Sequence, residues 1–244
     1  MKKTMVFAHR GASGTHPENT MEAFIAAEAM EADGIELDVQ LSADGEIVVI
    51  HDRKVNRTTN KKGHVKHYTL RELKKMDASY MWKHLNRKHY IPTLVEVFDW
   101  LCTNTLICNV EFKSNKSNSL ELENKVVQLV RDYQLEDRII FSSFNHYSIV
   151  HCHQIAPEIE TAPLYSENIF MPWVYAESIG AKGIHPKWGV ISEQAIRATE
   201  ENGISVRPYT VNRERDLQRL FSYQCTAVIT DFPALAVKLR DKKY

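Results

Sequence analysis

The chain has 244 residues, 43% of them hydrophobic, enough for a sizeable core and close to the roughly 250 residues of a single barrel domain. Lys plus Arg and Asp plus Glu number 31 each, so no bulk charge drives binding to nucleic acid or to an acidic membrane, and any electrostatic attraction must be local. The four cysteines, Cys102, Cys108, Cys152 and Cys225, form no CxxC pair and no zinc-like spacing, and are expected as reduced, mostly buried thiols.

The first residues are basic, but the apolar run from Met5 to Ala8 stops well short of the ~7–15 residues of a signal core. No stretch approaches the roughly 18 apolar residues of a membrane helix. The expectation is a soluble, cytoplasmic protein without stable membrane insertion.

Short apolar or β-branched runs then alternate with amphipathic runs, the pattern of parallel βαβ units. The strand candidates are Met5–Ala8, Gly34–Val39, Leu106–Phe112, Arg138–Phe144, Glu160–Tyr165, Lys182–His185, Ser205–Val211 and Thr226–Asp231. Helix signals fall between them: Thr20 before Met21 and Phe24, Thr93 with Glu96 as a capping box, Ser192 opening a run closed by Gly203, and Pro233 as a first-turn proline. Eight strands with intervening helices point to an α/β fold, a closed (β/α)8 barrel. A doubly wound open sheet is the alternative, weakened because no GxGxxG or GxxxxGK[ST] follows any strand.

One stretch breaks the alternation. Between His51 and Pro92 the chain is too long for an ordinary βα loop and carries its own helical spacing at Leu70, Leu73 and Met76, which reads as an insertion after the second barrel strand, over about 53–91, in a single domain spanning 1–244. From Arg53 to Lys88 it holds twelve Lys or Arg against two acids, Glu72 and Asp77. Such a run is either a solvated surface or an electropositive rim that concentrates an anionic substrate.

Functional side chains of a parallel barrel gather at the carboxyl ends of its strands. Strand one ends His9-Arg10-Gly11, strand two holds Glu36 and Asp38, strand three ends Glu111-Phe112-Lys113, and an extended run Glu46–Ile50 ends in His51-Asp52. Glu36 and Asp38, two apart, face the same way with α-carbons roughly 6.6 Å apart, while Ile35, Leu37 and Val39 take the other face. Carboxylates directed at one low-dielectric space repel unless a cation or strong donors compensate. With Glu111 they form a hard, all-oxygen set suited to Mg²⁺ or Ca²⁺. An isolated Glu-x-Asp would be ordinary solvated surface; the company of His9, His51 and Lys113 argues for metal binding. Two histidines beside a divalent cation supply a general acid and a general base, and Arg10 and Lys113 offer a phosphodiester a forked donor and a point charge. His16, His64, His67, His84, His89, His146, His151 and His153 read as surface, loop or packing residues, and His185 is left open.

Taken in order, His9-Arg10-Gly11, Pro17-Glu18-Asn19-Thr20, Glu36-Leu37-Asp38-Val39, His51-Asp52, Ile91-Pro92-Thr93-Leu94, Glu111-Phe112-Lys113, Ser142-Ser143-Phe144, Tyr209-Thr210-Val211-Asn212 and Ile229-Thr230-Asp231-Phe232-Pro233 closely resemble the glycerophosphodiester phosphodiesterases. The match spans nearly the whole chain and is loosest between Glu160 and Gly203. The resemblance implies a TIM-type barrel with a small inserted subdomain, a divalent metal held by Glu36, Asp38 and Glu111, His9 and His51 as the acid/base pair, and Arg10 and Lys113 on the phosphate. Tyr209 stands where the family has Trp, keeping an aromatic wall against the substrate but adding a hydroxyl. Glu18 fits the pattern either as a contact or as a loop-orienting residue.

The expected reaction is hydrolysis of a small-molecule glycerophosphodiester to glycerol 3-phosphate and an alcohol. Two rival readings are cleavage of a lipid diester by lysophospholipase D or phospholipase C chemistry, with Tyr80, Met81, Trp82 and Tyr90 as a docking face, and a non-catalytic phosphodiester-binding protein. Nothing in the sequence points to nucleic acid as partner or sets an oligomeric state.

Overall fold

The computed structural model describes residues 3–82, 87–113 and 120–242. Each apolar run becomes a strand that pairs with the strand before it, and each connecting run becomes a helix. In chain order the elements are β1 (Met5–His9), α1 (Met21–Ala29), β2 (Gly34–Leu41), β3 (Ile47–Val49), α2 (Leu70–Leu73), α3 (Leu94–Leu101), β4 (Ile107–Phe112), α4 (Glu121–Tyr133), β5 (Ile139–Ser143), α5 (His146–Ile155), β6 (Glu160–Tyr165), α6 (Pro172–Ser178), β7 (Gly183–Pro186), α7 (Glu193–Glu201), β8 (Ser205–Val206), α8 (Glu214–Tyr223), β9 (Ala227–Thr230) and α9 (Pro233–Asp241). The strand order is β8-β7-β6-β5-β4-β2-β1-β9, with parallel neighbours throughout; β3 alone runs antiparallel, on β2. An order in which each barrel strand lies beside its predecessor, with β9 returning to β1, is that of a (β/α)8 barrel and excludes the open sheet.

The last seam is made differently. The expected strand Ser205–Val211 is regular over Ser205–Val206 only, although Arg207 N–H and Tyr209 N–H still donate to Ile184 O and Pro186 O on the β7 side (3.0 Å each). Closure passes to the residues beyond, where Ile229 N–H donates to Pro208 O (3.0 Å) and Val211 N–H donates to Ile229 O (2.9 Å).

The apolar cores follow the alternation read from sequence. Ile35, Leu37 and Val39 of β2 pack outward against helical Phe24, Val97, Phe98 and Leu101, whereas Phe7, Ile140, Ala162, Ala227 and Ile229 fill the barrel interior. That interior plug leaves the carboxyl-end mouth to the polar residues of the same strand faces.

Thr20, Thr93 and Ser192 cap α1, α3 and α7, each accepting a backbone N–H, and Glu96 completes the capping box at Thr93. Pro233 sits in the first turn of α9. Pro172 likewise opens α6. Two helices carry no such signal, because Leu120 and Arg213 precede α4 and α8 without a side-chain cap, and each of these helices buries one face.

Between β3 and α3 the chain forms a 3₁₀ turn at Val65–His67 and then α2. Val55, Val65, Leu73, Met76, Ala78 and Ile91 gather with Val48 and Ile50 into an apolar cluster separate from those of the barrel. Lys83, one of the twelve cations of this stretch, and His84 lie outside the described residues. Among the described residues no helix is long and apolar enough to cross a membrane.

Thr93 pairs with Val48 and caps α3, so it joins the hairpin to the barrel wall. Thr93→Ala is expected to lower unfolding free energy by about 1 kcal/mol in urea denaturation, the usual cost of a lost cap. An unchanged midpoint would show that the box adds nothing.

Candidate active site

Glu36 and Asp38 of β2 and Glu111 of β4 meet at the mouth of the barrel because the register pairs Asp38 with Glu111 across two parallel strands. One carboxylate oxygen from each lies within 4.8 Å of the others, and all three side chains are buried. Glu36 Oε1 has no hydrogen-bond partner, an orphaned acceptor of the kind a cation would satisfy. The donor set is all carboxylate oxygen, so these residues fit a hard divalent ion.

Two cations and an amide face the cluster. Lys113 Nζ hydrogen-bonds Glu111 Oε1 and lies 2.9 Å from Asp38 Oδ1, close enough for an ion pair although the angle is not that of a hydrogen bond. Asn19 Nδ2 donates to Asp38 Oδ2 at 2.7 Å. Arg10 takes a left-handed backbone (φ +55°), from which its N–H donates to Glu36 Oε2 at 2.9 Å. Its guanidinium donates to Glu18 (3.0 Å), and its buried Nε, 3.4 Å from Asp38 Oδ2, makes no hydrogen bond. Gly11, at φ +78°, follows: a Cβ there would stand 2.6 Å from the Ala23 backbone, so only glycine lets the β1 loop approach α1.

Each histidine is held from behind by a carboxylate. His9 Nδ1 lies 2.6 Å from Asp231 Oδ1, and Asp231 is itself fixed by Asn212 Nδ2 (2.6 Å) and Ser13 Oγ (3.1 Å). His51 Nδ1 lies 2.6 Å from Asp52 Oδ1, and Arg57 binds Asp52 and Glu18 together. Gln40, buried on β2, donates through its amide to the carbonyls of Ile50, His51 and Asp52, pinning the chain that carries the second histidine. The Nδ1 contacts leave each Nε2 as the free ring nitrogen; that of His9 is 4.0 Å from Glu36. With 17% and 31% of their side chains exposed, against 3% and 1% for Glu36 and Asp38, the histidines are the groups a substrate can reach.

The charges compete for protons as their burial demands. Burial, then repulsion from Asp38 and Glu111, raises Glu36 well above the ordinary carboxylate range, and burial with repulsion from Asp38 pushes Glu111 up to about 7. Burial works against Asp38 too, but Lys113 and Arg10 outweigh it and hold this carboxylate far below its usual value. Burial, reinforced by Lys113 and Arg10, lowers His51 despite Asp38 and Asp52.

A cleft of about 540 Å³ opens over His51, Glu111 and Lys113, with Phe144 in its wall. Phe144 meets Tyr209 edge to face at 6.0 Å, and the Tyr209 hydroxyl donates to Tyr165 O (3.2 Å). The structure therefore brings together His9, Arg10, Glu36, Asp38, His51, Glu111 and Lys113, with Tyr209 on the aromatic side. Glu18 orients Arg10 and Arg57. Of the remaining histidines, His146 is a packing residue bonded to Tyr175 and Leu164, His64 lines the cleft, and His185 is fully buried on β7, where burial and then Arg207 keep it neutral. Residue-level reasoning assigned no role to Asn19, Gln40, Asp52, Arg57, Asn212 or Asp231. A glutamine inside an apolar strand is the sequence signal that could have raised Gln40.

Comparison with known proteins reaches the same point independently. The sequence profile of the glycerophosphoryl diester phosphodiesterase family matches residues 9–235. A glycerophosphodiester phosphodiesterase of Caldanaerobacter subterraneus subsp. tengcongensis is 40% identical over 97% of this chain and 98% of its own. One from Bacillus altitudinis is 41% identical over 98% and 99%. Among solved structures, an Oleispira antarctica phosphodiesterase in complex with the product sn-glycerol-3-phosphate superposes with a TM-score of 0.92 at 28% identity, covering 98% of each chain. A profile match over nearly the whole length, on a barrel that carries its acidic cluster at the strand ends, places this chain in the glycerophosphoryl diester phosphodiesterase family.

Proposed function

We propose that the protein hydrolyses glycerophosphodiesters to sn-glycerol 3-phosphate and an alcohol, with Glu36, Asp38 and Glu111 holding Mg²⁺ or Ca²⁺ and with His9 and His51 exchanging protons. The observation that carries the reading is the pairing, at one barrel mouth, of an orphaned carboxylate oxygen on Glu36 with an orphaned donor on Arg10 Nε. The first calls for a cation, and the second calls for an anion beside it. The product bound by the Oleispira antarctica relative supplies the chemical class of that anion.

A divalent ion in this site supplies Lewis-acid stabilisation of charge on the phosphoryl oxygens. The chain's own groups do the rest. Arg10 and Lys113 offer donors to the phosphate, and Glu18 and the carboxylate cluster fix their directions. One imidazole takes a proton from the attacking water as its oxygen bonds to phosphorus, while the other gives a proton to the departing alkoxide as the bond from phosphorus to the alcohol oxygen breaks. Asp231 and Asp52 select the tautomer by occupying Nδ1, leaving Nε2 for the transfer. Phe144 and Tyr209 form an apolar wall for the substrate.

In this reading residues 1–244 act as one domain, in which 53–91 form a lobe over the cleft, and the four free cysteines fit a reducing cytoplasm. Exposure of Tyr80, Met81 and Tyr90 favours a second reading, cleavage of a lipid diester at a membrane surface; activity that depends on anionic vesicles would select it.

Protein stripped with EDTA should release no glycerol 3-phosphate and recover on adding Mg²⁺ or Ca²⁺, and Glu36→Gln should prevent recovery; full turnover by stripped protein would refute the metal role. His9→Ala and His51→Ala should each reduce kcat by roughly 10²–10⁴-fold, and near-native turnover in either would remove that residue from the chemistry. Asp52 is held at about 2, chiefly by the Arg57 hydrogen bond and against its burial, so its stabilising effect is complete above about pH 4 and lost as the pH falls through about 2. Denaturation of the wild type and Asp52→Asn should show a stability difference that shrinks over that interval; a constant difference would mean that Asp52 is not paired as an anion.

A further inference from the structure

Beyond the catalytic groups, the cleft has a basic wall for which the reaction described above gives no task. It is built on a short ribbon. Val65 N–H donates to Arg53 O (2.9 Å) and Val55 N–H to Gly63 O (3.0 Å), with Lys54 and His64 paired across it. Val55 and Val65 are buried in the lobe's own apolar cluster. Alternation along the ribbon turns Lys54 and His64 away from that cluster, and with Arg53 they line the cleft beside His51 and Lys113. The positions are therefore set by packing and backbone pairing.

The charge of Lys54 on this wall is in excess. Of the carboxylates that line the cleft, Asp52 is engaged by His51 and Arg57, and Glu111 belongs to the acidic cluster and bonds Lys113. Among the described residues no carboxylate pairs with Lys54. His64 is held below its ordinary value by loss of hydration and then by Lys54, His67, Lys66 and Arg53, so it gives the wall a neutral ring donor where positive potential converges, and the charge itself comes from the lysine and arginine. The phosphodiester carries a single negative charge, which Arg10 and Lys113 already face. The glycerol half of every substrate is neutral and has no use for further cations, and a choline or ethanolamine alcohol would be repelled by them.

We infer that the wall formed by Arg53, Lys54 and His64 receives a second anionic group borne by the leaving alcohol, so that the enzyme prefers diesters whose alcohol carries a phosphate or carboxylate over those whose alcohol is neutral or cationic. The inference rests on the phosphodiesterase reading and names the substrate class of that same site. It assigns the His51 side of the cleft to the alcohol, the only part of the substrate whose charge varies.

The test compares glycerophosphoinositol with its inositol-phosphate counterpart, two diesters that differ only in the added anion, and includes glycerophosphocholine, all with metal present at low ionic strength. The expected kcat/KM order is inositol phosphate above inositol above choline, with about tenfold between the first two. Lys54→Glu should bring that ratio to one or below, as should Lys54→Gln in smaller degree; circular dichroism confirms that both variants are folded. A wild-type ratio near one overturns the inference while leaving the phosphodiesterase reading intact. So does a uniform loss on all three diesters in Lys54→Glu, which would show that the cations only attract the charge every diester shares. No turnover of any diester would overturn both readings.

Discussion

The structure turns on the burial of three carboxylates at one end of a barrel. Removing an ion from water costs several kcal/mol, and three like charges within 4.8 Å compound it. Most of the polar architecture can be understood as compensation. Lys113 and Arg10 stand against Asp38, Asn19 adds a neutral donor, and the Arg10 backbone turns to a left-handed conformation to bring its N–H to Glu36. Even so, Glu36 is driven toward its neutral form by burial and Glu111 to about 7. The protein's own groups neutralise the cluster incompletely, which is the physical sense in which it is compatible with a further cation.

From that cluster, order spreads outward by hydrogen bonds. Arg10 ties to Glu18, Glu18 to Arg57, and Arg57 to Asp52, which holds His51. Gln40 reaches the same place from the barrel wall through three carbonyls. The segment that follows β3 is thus joined to the acidic centre through Arg57, so the basic wall over the cleft and the groups beneath it share one frame. His9 depends on a different frame, at the seam where β9 returns to β1: Asp231, Asn212 and Ser13 converge there from the two ends of the chain.

The aromatic side of the mouth illustrates how fold and site constrain each other. Beyond β8 the chain stays paired with β7 through Tyr209 N–H and Pro186 O and closes the barrel by accepting from Ile229 N–H at Pro208 O, and that double pairing presents Tyr209 to Phe144. Tyr209 meets Phe144 edge to face, and its hydroxyl finds the Tyr165 carbonyl, so its polar group is satisfied.

The sequence by itself determined the alternation of strands and helices, the caps at Thr20, Thr93 and Ser192, and the group of charged residues at strand ends, because periodicity, capping and strand parity are local rules that neighbouring residues obey without knowledge of the rest. It likewise placed Glu36 and Asp38 on one face of β2, since parity requires it. Only the tertiary structure decided what stands behind each functional group. Asp231 lies 222 residues from His9, and Asn212 and Asp231 come to the site through the closing seam, so no local pattern ties them to it. Helices α4 and α8 escaped the cap rules because burial of one face stabilises them without a side-chain cap. The clustering of cations along 53–88 was visible as composition, but their direction was not. Whether Lys54 and His64 meet solvent or substrate depends on which side of a two-stranded ribbon is buried, and that is fixed by packing between segments far apart in the chain.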